Sequence, residues 1–123
     1  MKTLGAKIIA IETGMVKISC ERNEGLTQQH GFFHAGVITS IADVACGYAA
    51  MTTMPEGAEV LSVEFKTNLM RPADAEKIIA TGKVIKSGKN LVFCEATITD
   101  DQEEQLFATL QGTMFCIQPN KKE

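Results

Sequence analysis

The chain has 123 residues, 45% of them hydrophobic, and a formal net charge of −3 at pH 7, which fits one domain spanning residues 1–123 around one core. Its basic residues are scattered, which excludes the electrostatic footprint of a nucleic-acid binder, and no apolar run approaches a membrane span. The opening Met1-Lys2-Thr3-Leu4-Gly5-Ala6-Lys7 has no long apolar region with a cleavage site, so a cytoplasmic location is expected.

Two strands come first, Ala6–Glu12 and Met15–Glu21, joined by a turn at Thr13-Gly14. Residues 22–33 read as a polar loop. A helix is predicted over residues 34–53. Met54-Pro55-Glu56-Gly57 ends it, because proline cannot continue the hydrogen-bond ladder. Within the helix, Ile38, Ile41, Ala45, Tyr48 and Ala49 recur at steps of three and four, which predicts one face packed on a sheet.

Everything downstream reads as strand. Residues 60–69 alternate, with Leu61, Val63 and Phe65 expected on one face and Ser62, Glu64 and Lys66 on the other. Arg71-Pro72-Ala73-Asp74 forms a turn. Residues 76–86 are a further strand, ended by the hairpin signal Ser87-Gly88-Lys89-Asn90. Residues 91–99 and 105–117 complete the sheet around an acidic turn at 100–104. The order β-β-α-β-β-β-β is an α+β arrangement. One helix cannot cover six long strands, so the remaining apolar surface is expected to be covered by another copy of the chain.

The four cysteines, Cys20, Cys46, Cys94 and Cys116, are far apart and none forms a C-x-x-C pair. They are expected to be reduced core residues rather than zinc ligands or disulfides.

Asp43 is the only charged side chain between Glu24 and Glu56, counting histidines as neutral. A helix this apolar is expected to be buried, and a buried carboxylate is costly unless it has a partner or a task. Its helical neighbours Thr39, Ser40, Cys46 and Gly47 are small, as are Gly36 and Ala50 beyond them. Small residues leave room for another backbone or for a ligand. Thr39 is also placed to hydrogen-bond Asp43, so a satisfied structural aspartate and a functional one both stand at this point.

The turn before the helix adds weight to the functional reading. His34-Ala35-Gly36 places free backbone N–H groups and the positive end of the helix dipole at one spot, which suits an oxyanion. A carboxylate two turns further on completes the equipment for acyl transfer from an ester or thioester. No Ser-His-Asp or Cys-His arrangement is apparent, and His30, His34 and Asp43 form no ligand set of known metal spacing.

The stretch Gln28-Gln29-His30-Gly31-Phe32-Phe33-His34-Ala35-Gly36-Val37, followed by Ile41-Ala42-Asp43, resembles the hotdog-fold acyl-CoA thioesterases of the small phenylacetate-degradation (PaaI-like) type. Ser62-Val63-Glu64-Phe65-Lys66-Thr67-Asn68-Leu69-Met70-Arg71-Pro72-Ala73 and the later Gly112-Thr113-Met114 extend the likeness over nearly the whole chain. The resemblance implies a hotdog fold, one long helix wrapped by a curved antiparallel sheet of about six strands. It implies a homodimer pairing into a homotetramer, with acyl-CoA as substrate and no metal or cofactor. Asp43 of one subunit would be nucleophile or general base, and the Ala35 amide of the other, beside Gly36, would form the oxyanion hole. Gln28 matches a position near the nucleophile or water, and His34 shapes the turn. Ser62 supplies a hydroxyl as in some relatives, and His30 is a loop or channel residue. Arg71 and the Ser87-Gly88-Lys89 turn are candidates for the coenzyme A phosphates.

Two positions depart from the family pattern. Ala35 stands where glycine is more usual, and Gly47 stands where some members carry Thr or Ser. They motivate an alternative, a non-catalytic acyl-CoA or fatty-acyl binding protein on the same fold. A hotdog hydratase would place a histidine shortly after its aspartate, and none follows Asp43. Phe32, Phe33, Tyr48 and Met51 are equally suited to an acyl pocket and to the core.

Overall fold

A computed structural model describes residues 5–27 and 31–117. Its strands are β1 (Ala6–Glu12), β2 (Met15–Glu21), β3 (Glu59–Leu69), β4 (Lys77–Ser87), β5 (Leu91–Asp100) and β6 (Leu106–Ile117). The helix, α1, spans Ala35–Met51, and a short 3-10 turn at Glu24–Leu26 interrupts the loop before it. The strands form one antiparallel sheet in the order β1-β2-β4-β5-β6-β3. The sheet is not closed, so β1 and β3 are its edges. The helix touches all six strands, which a flat sheet would not allow, so the sheet curves around it.

The core lies between the helix and the inner sheet face. Ile38, Ile41, Ala45 and Ala49 pack there against Val16 and Ile18 of β2, Ile78 of β4, Val92 and Ile98 of β5, and Leu110 and Met114 of β6. Each fully buried Val, Ile or Leu side chain contributes roughly 1.5–3 kcal/mol. Alanine-rich composition favours the helix and thins it, so its axis lies close to the strands. The closest approach is at Gly82 of β4, where an added Cβ would sit 2.5 Å from the carbonyl carbon and oxygen of Ala45. The helix end is tied to the β1–β2 turn, since the Gly14 amide donates to Thr52 Oγ1 at 2.7 Å. The four cysteines are buried and none is in a disulfide, as expected for small core residues.

Strand β3 corrects the simple alternation. Ser62 is opposite Met114 of β6, but a β-bulge at Val63 puts Glu64 opposite Thr113 and Phe65 opposite Gly112. The extra residue shifts the two-residue period by one step. Leu61 and Glu64 therefore share the outer face, while Ser62 and Phe65 share the inner one. Tyr48 also departs from its expected place: at 37% exposure it lies beside the packed stripe rather than in it. Exposed apolar side chains lie along both sheet edges, Leu61, Val63, Phe65, Leu69 and Met70 at β3 and Ile9 and Ile11 at β1, with others such as Ile85 between them. Among the described residues no helix is long and apolar enough to cross a membrane.

Candidate active site

Asp43 projects from the stripe of α1 that faces β3, beyond the edge of the packed core. It is half-buried rather than enclosed, because β3 is an edge strand and nothing among the described residues closes the outer side. Ser62 Oγ donates to Asp43 Oδ1 at 2.7 Å, a charge-assisted length. The hydroxyl that engages the carboxylate thus comes from β3 and not from Thr39. Ser62 reaches inward because it precedes the bulge. Its oxygen also lies 3.5 Å from Met114 Sδ.

These two polar groups open onto a groove of about 210 Å³ between α1 and β3, lined by Val44, Gly47, Tyr48, Met51 and Val60. The walls are apolar, and the polar groups converge at one end. Larger hollows of about 500 Å³ around Arg22 and 470 Å³ around Lys17 hold ion pairs instead, Arg22–Glu76 at 2.7 Å and Lys17–Glu103 at 2.8 Å. Convergence of functional groups, not volume, marks the site.

The oxyanion candidate lies at the other end of the same helix. The amides of Val37 and Ile38 both donate to His34 O, at 3.0 and 3.1 Å. Ala35 and Gly36 have no backbone acceptor among the described residues, as the first amides of a helix must. Ala35 is the first helical residue and does not need a positive φ, so alanine in place of glycine keeps the amide. His34 acts through its backbone: it caps the helix with no side-chain hydrogen bond, and its own amide donates to Leu26 O at 3.0 Å. Beside Ala35 is a second cleft, about 310 Å³, lined by Phe33, Ile38, Leu69, Met70 and Arg71. Arg71 Nη1 donates to Gln105 Oε1 at 3.3 Å.

Ala35 and Asp43 are eight residues apart, about 12 Å along a helix at 1.5 Å per residue. One copy cannot apply both to one carbonyl. The hairpin Ser87-Gly88-Lys89 lies at the far helix end: Ser87 Oγ is 3.0 Å from Thr53 Oγ1, and the Gly88 amide is engaged by Leu91 O at 2.8 Å. The structure therefore brings Asp43 and Ser62 together, places Ala35, Gly36 and Arg71 at one helix end, and sets the hairpin at the other. Gln28 and His30 lie outside the described residues. Val60 was not singled out by sequence reasoning; its proximity to Tyr48 and Met51 depends on β3 returning beside α1.

Behind the carboxylate, Cys94 Sγ donates to Cys46 O at 3.6 Å. Its hydrogen bond with Cys94, followed by burial, pushes the Cys46 thiol well above its ordinary value. It is a packed neutral group, not a nucleophile in waiting.

The sequence matches the Thioesterase superfamily over residues 30–107. The chain belongs to that family. It is a thioester hydrolase of the hotdog fold. It is 29% identical to a 1,4-dihydroxy-2-naphthoyl-CoA hydrolase of Listeria monocytogenes, over 85% of this chain and 85% of that one. It is 30% identical to acyl-coenzyme A thioesterase 13 of Mus musculus, over 83% of this chain and 74% of that one. A thioesterase family protein from Silicibacter pomeroyi superposes with a TM-score of 0.90 at 42% identity, covering 95% of this chain and 88% of that chain. The E. coli PaaI protein from the phenylacetic acid degradation operon shares the fold, with a TM-score of 0.86 at 24% identity, over 97% and 84% of the two chains.

Proposed function

We propose that this thioesterase hydrolyses acyl-CoA, aryl-acyl-CoA included, to the free acid and CoA at a site shared between two copies of the chain. The observation that carries the reading is the Asp43–Ser62 hydrogen bond at the polar end of an apolar groove. The named relatives act on CoA thioesters, which supplies the substrate class.

The 12 Å between Ala35 and Asp43 makes the second copy necessary. Both clefts lie between α1 and the open edge of β3, one at each end of that strand. Antiparallel pairing of β3 with the β3 of a second copy about a two-fold axis brings the Ser62 end of one to the Leu69 end of the other. The Asp43 of one copy then faces the Ala35 amide of its partner. The same pairing covers the exposed apolar side chains of β3. The dimers pair further into a tetramer, in the cytoplasm.

In the reaction, the thioester carbonyl oxygen accepts the Ala35 N–H, which strengthens as negative charge develops. Asp43 removes a proton from water as the water oxygen attacks the carbonyl carbon. Ser62 holds the carboxylate through its O–H, and Gln28 steadies the water. The tetrahedral intermediate collapses, the C–S bond breaks, and the protonated Asp43 returns its proton to the departing CoA sulfur. Asp43 acting as nucleophile, through an anhydride, uses the same contacts; oxygen-18 from solvent appears in Asp43 after one turnover only by that route. Arg71 and the partner's hairpin at Ser87, Gly88 and Lys89 hold the nucleotide phosphates. Ala35 retains the amide on which catalysis rests, which removes the main ground for a purely binding protein.

The test is thiol release from a panel of short, long and aromatic acyl-CoAs. Asp43→Ala should lower kcat by about a hundredfold or more, and Ser62→Ala by roughly tenfold, with the fold retained in both. Turnover by Asp43→Ala equal to wild type refutes the mechanism. Saturable binding with no thiol release by wild type makes the chain a binding protein.

A further inference from the structure

Gly47 has no reason to be glycine that the described residues of the protomer supply. It sits in the interior of α1, where glycine is a poorer helix former than alanine, and it does not adopt a positive φ. A Cβ built there would meet no heavy atom within 4 Å. Gly82, by contrast, is required by the backbone of Ala45. The space above Gly47 is therefore kept clear for something outside the protomer.

Its position says what. Gly47 is four residues beyond Asp43, one turn or about 6 Å along the same stripe of the helix. It forms the floor of the groove that begins at the Asp43–Ser62 pair, between Val44 and Tyr48 on the helix and Val60 on β3. A substrate whose carbonyl carbon is attacked beside Asp43 lays the next atoms of its acyl group over this floor. Apart from Asp43, no charged side chain among the described residues lines the groove, which suits an acyl group uncharged there. The missing side chain leaves its clearance one turn from Asp43, close to the carbonyl, where a straight chain needs least width and a branch or ring needs most.

On the thioesterase reading above, we infer that Gly47 is the specificity-determining residue of the acyl pocket, and that it admits acyl groups carrying a branch or a ring next to the carbonyl. A side chain at this position narrows the pocket where those groups are wide. One methylene in an apolar pocket changes selectivity by roughly tenfold or more.

The experiment measures kcat/KM of the full chain for butyryl-CoA, isobutyryl-CoA and benzoyl-CoA, in wild type, Gly47→Ala and Gly47→Val. Wild type should favour the branched and aromatic thioesters. The ratio of benzoyl-CoA to butyryl-CoA should fall by about threefold in Gly47→Ala and by roughly tenfold or more in Gly47→Val. Light scattering should give the same assembly mass for all three. Because alanine suits a helix interior, Gly47→Ala stays folded even if the valine variant does not. A ratio that stays constant overturns the inference. So does loss of the assembly with all three substrates falling together, which would mean that Gly47 clears space for a second copy. Absence of turnover by wild type on every thioester overturns the hydrolase reading itself, and this inference with it.

Discussion

Substituting Gly82 by alanine tests how closely the site depends on the seat of the helix. The new Cβ would lie 2.5 Å from Ala45 C and O and 2.8 Å from Cys46 N. Comfortable separations between such atoms are about 3.5–4.0 Å, so the helix must retreat from β4 by roughly 1 Å. The contacts are backbone, so no rotamer change relieves them. Overpacking of this kind costs about 1–3 kcal/mol. Restricting the unfolded chain by replacing glycine returns about 0.4–1 kcal/mol, too little to reverse the sign. Taking the middle of each range leaves a net cost of about 1.3 kcal/mol, and at roughly 4 °C per kcal/mol for a chain of this size Tm should fall by about 5 °C. Function should fall further than stability suggests. Asp43 is only two residues before Ala45, and its 2.7 Å bond to Ser62 joins the helix to a different strand. A displacement of about 1 Å at a catalytic carboxylate can cost up to a hundredfold in turnover. Circular dichroism melts at fixed protein concentration and thiol release below Tm make the two measurements. A Tm unchanged within about 1 °C, together with wild-type turnover, would show that the helix is not held by this contact.

Two further outcomes are expected. Val63→Asp places a charge on the exposed bulge of β3, where it would be buried on pairing with a second copy. The assembly mass from light scattering should drop to that of the monomer and turnover should be lost with it, whereas an intact, active assembly would exclude β3 as the joining edge. Burial followed by the Glu21 charge pushes the Cys20 thiol above its ordinary value of 9.0, and burial followed by Cys94 does the same to Cys116. The unfolded chain therefore releases these protons first, so the stabilisation is complete below pH 9.0 and shrinks as pH rises past it. The urea midpoint should be lower at about pH 10 than at about pH 8, with a smaller drop in Cys20→Ala; an equal drop in that variant would remove Cys20 from the account.

The sheet was largely legible because its signals are local. Thr13-Gly14 and Ser87-Gly88-Lys89-Asn90 punctuate strands whose ends fall within a residue or two of those read from sequence. Asp43 stood out for the same kind of reason, as a single charge in an apolar run. What the residues alone did not show is non-local, and Ser62 entered only through the family resemblance. Ser62 is nineteen positions from Asp43, and their meeting depends on β3 coming back along the helix after a turn at the helix end. The residues alone offered Thr39 for that hydrogen bond, because periodicity along one helix sees only its own neighbours. Asp43 read as enclosed because composition describes the helix as a whole, whereas its stripe faces the open sheet edge. Tyr48 fits a packed spacing for the same reason and in fact borders the groove.

A strand has a reading frame of two, and the bulge at Val63 is a frameshift within it. Upstream of that residue the frame presents Ser62 to the carboxylate; downstream it presents Phe65 to the helix side. A strand that paired Val63 regularly would have to give up one of those placements. Substitutions along β3 change single letters of this arrangement. Drawing Val63 into the ladder instead inverts every letter beyond it, sending Phe65 and Leu69 outward and turning Glu64 and Lys66 toward the core, whereas deleting Val63 leaves every pairing in place. Homologues that pair this residue regularly would therefore have to rewrite either the Ser62 end or the packing end of the strand, even where their turns and overall length look unchanged.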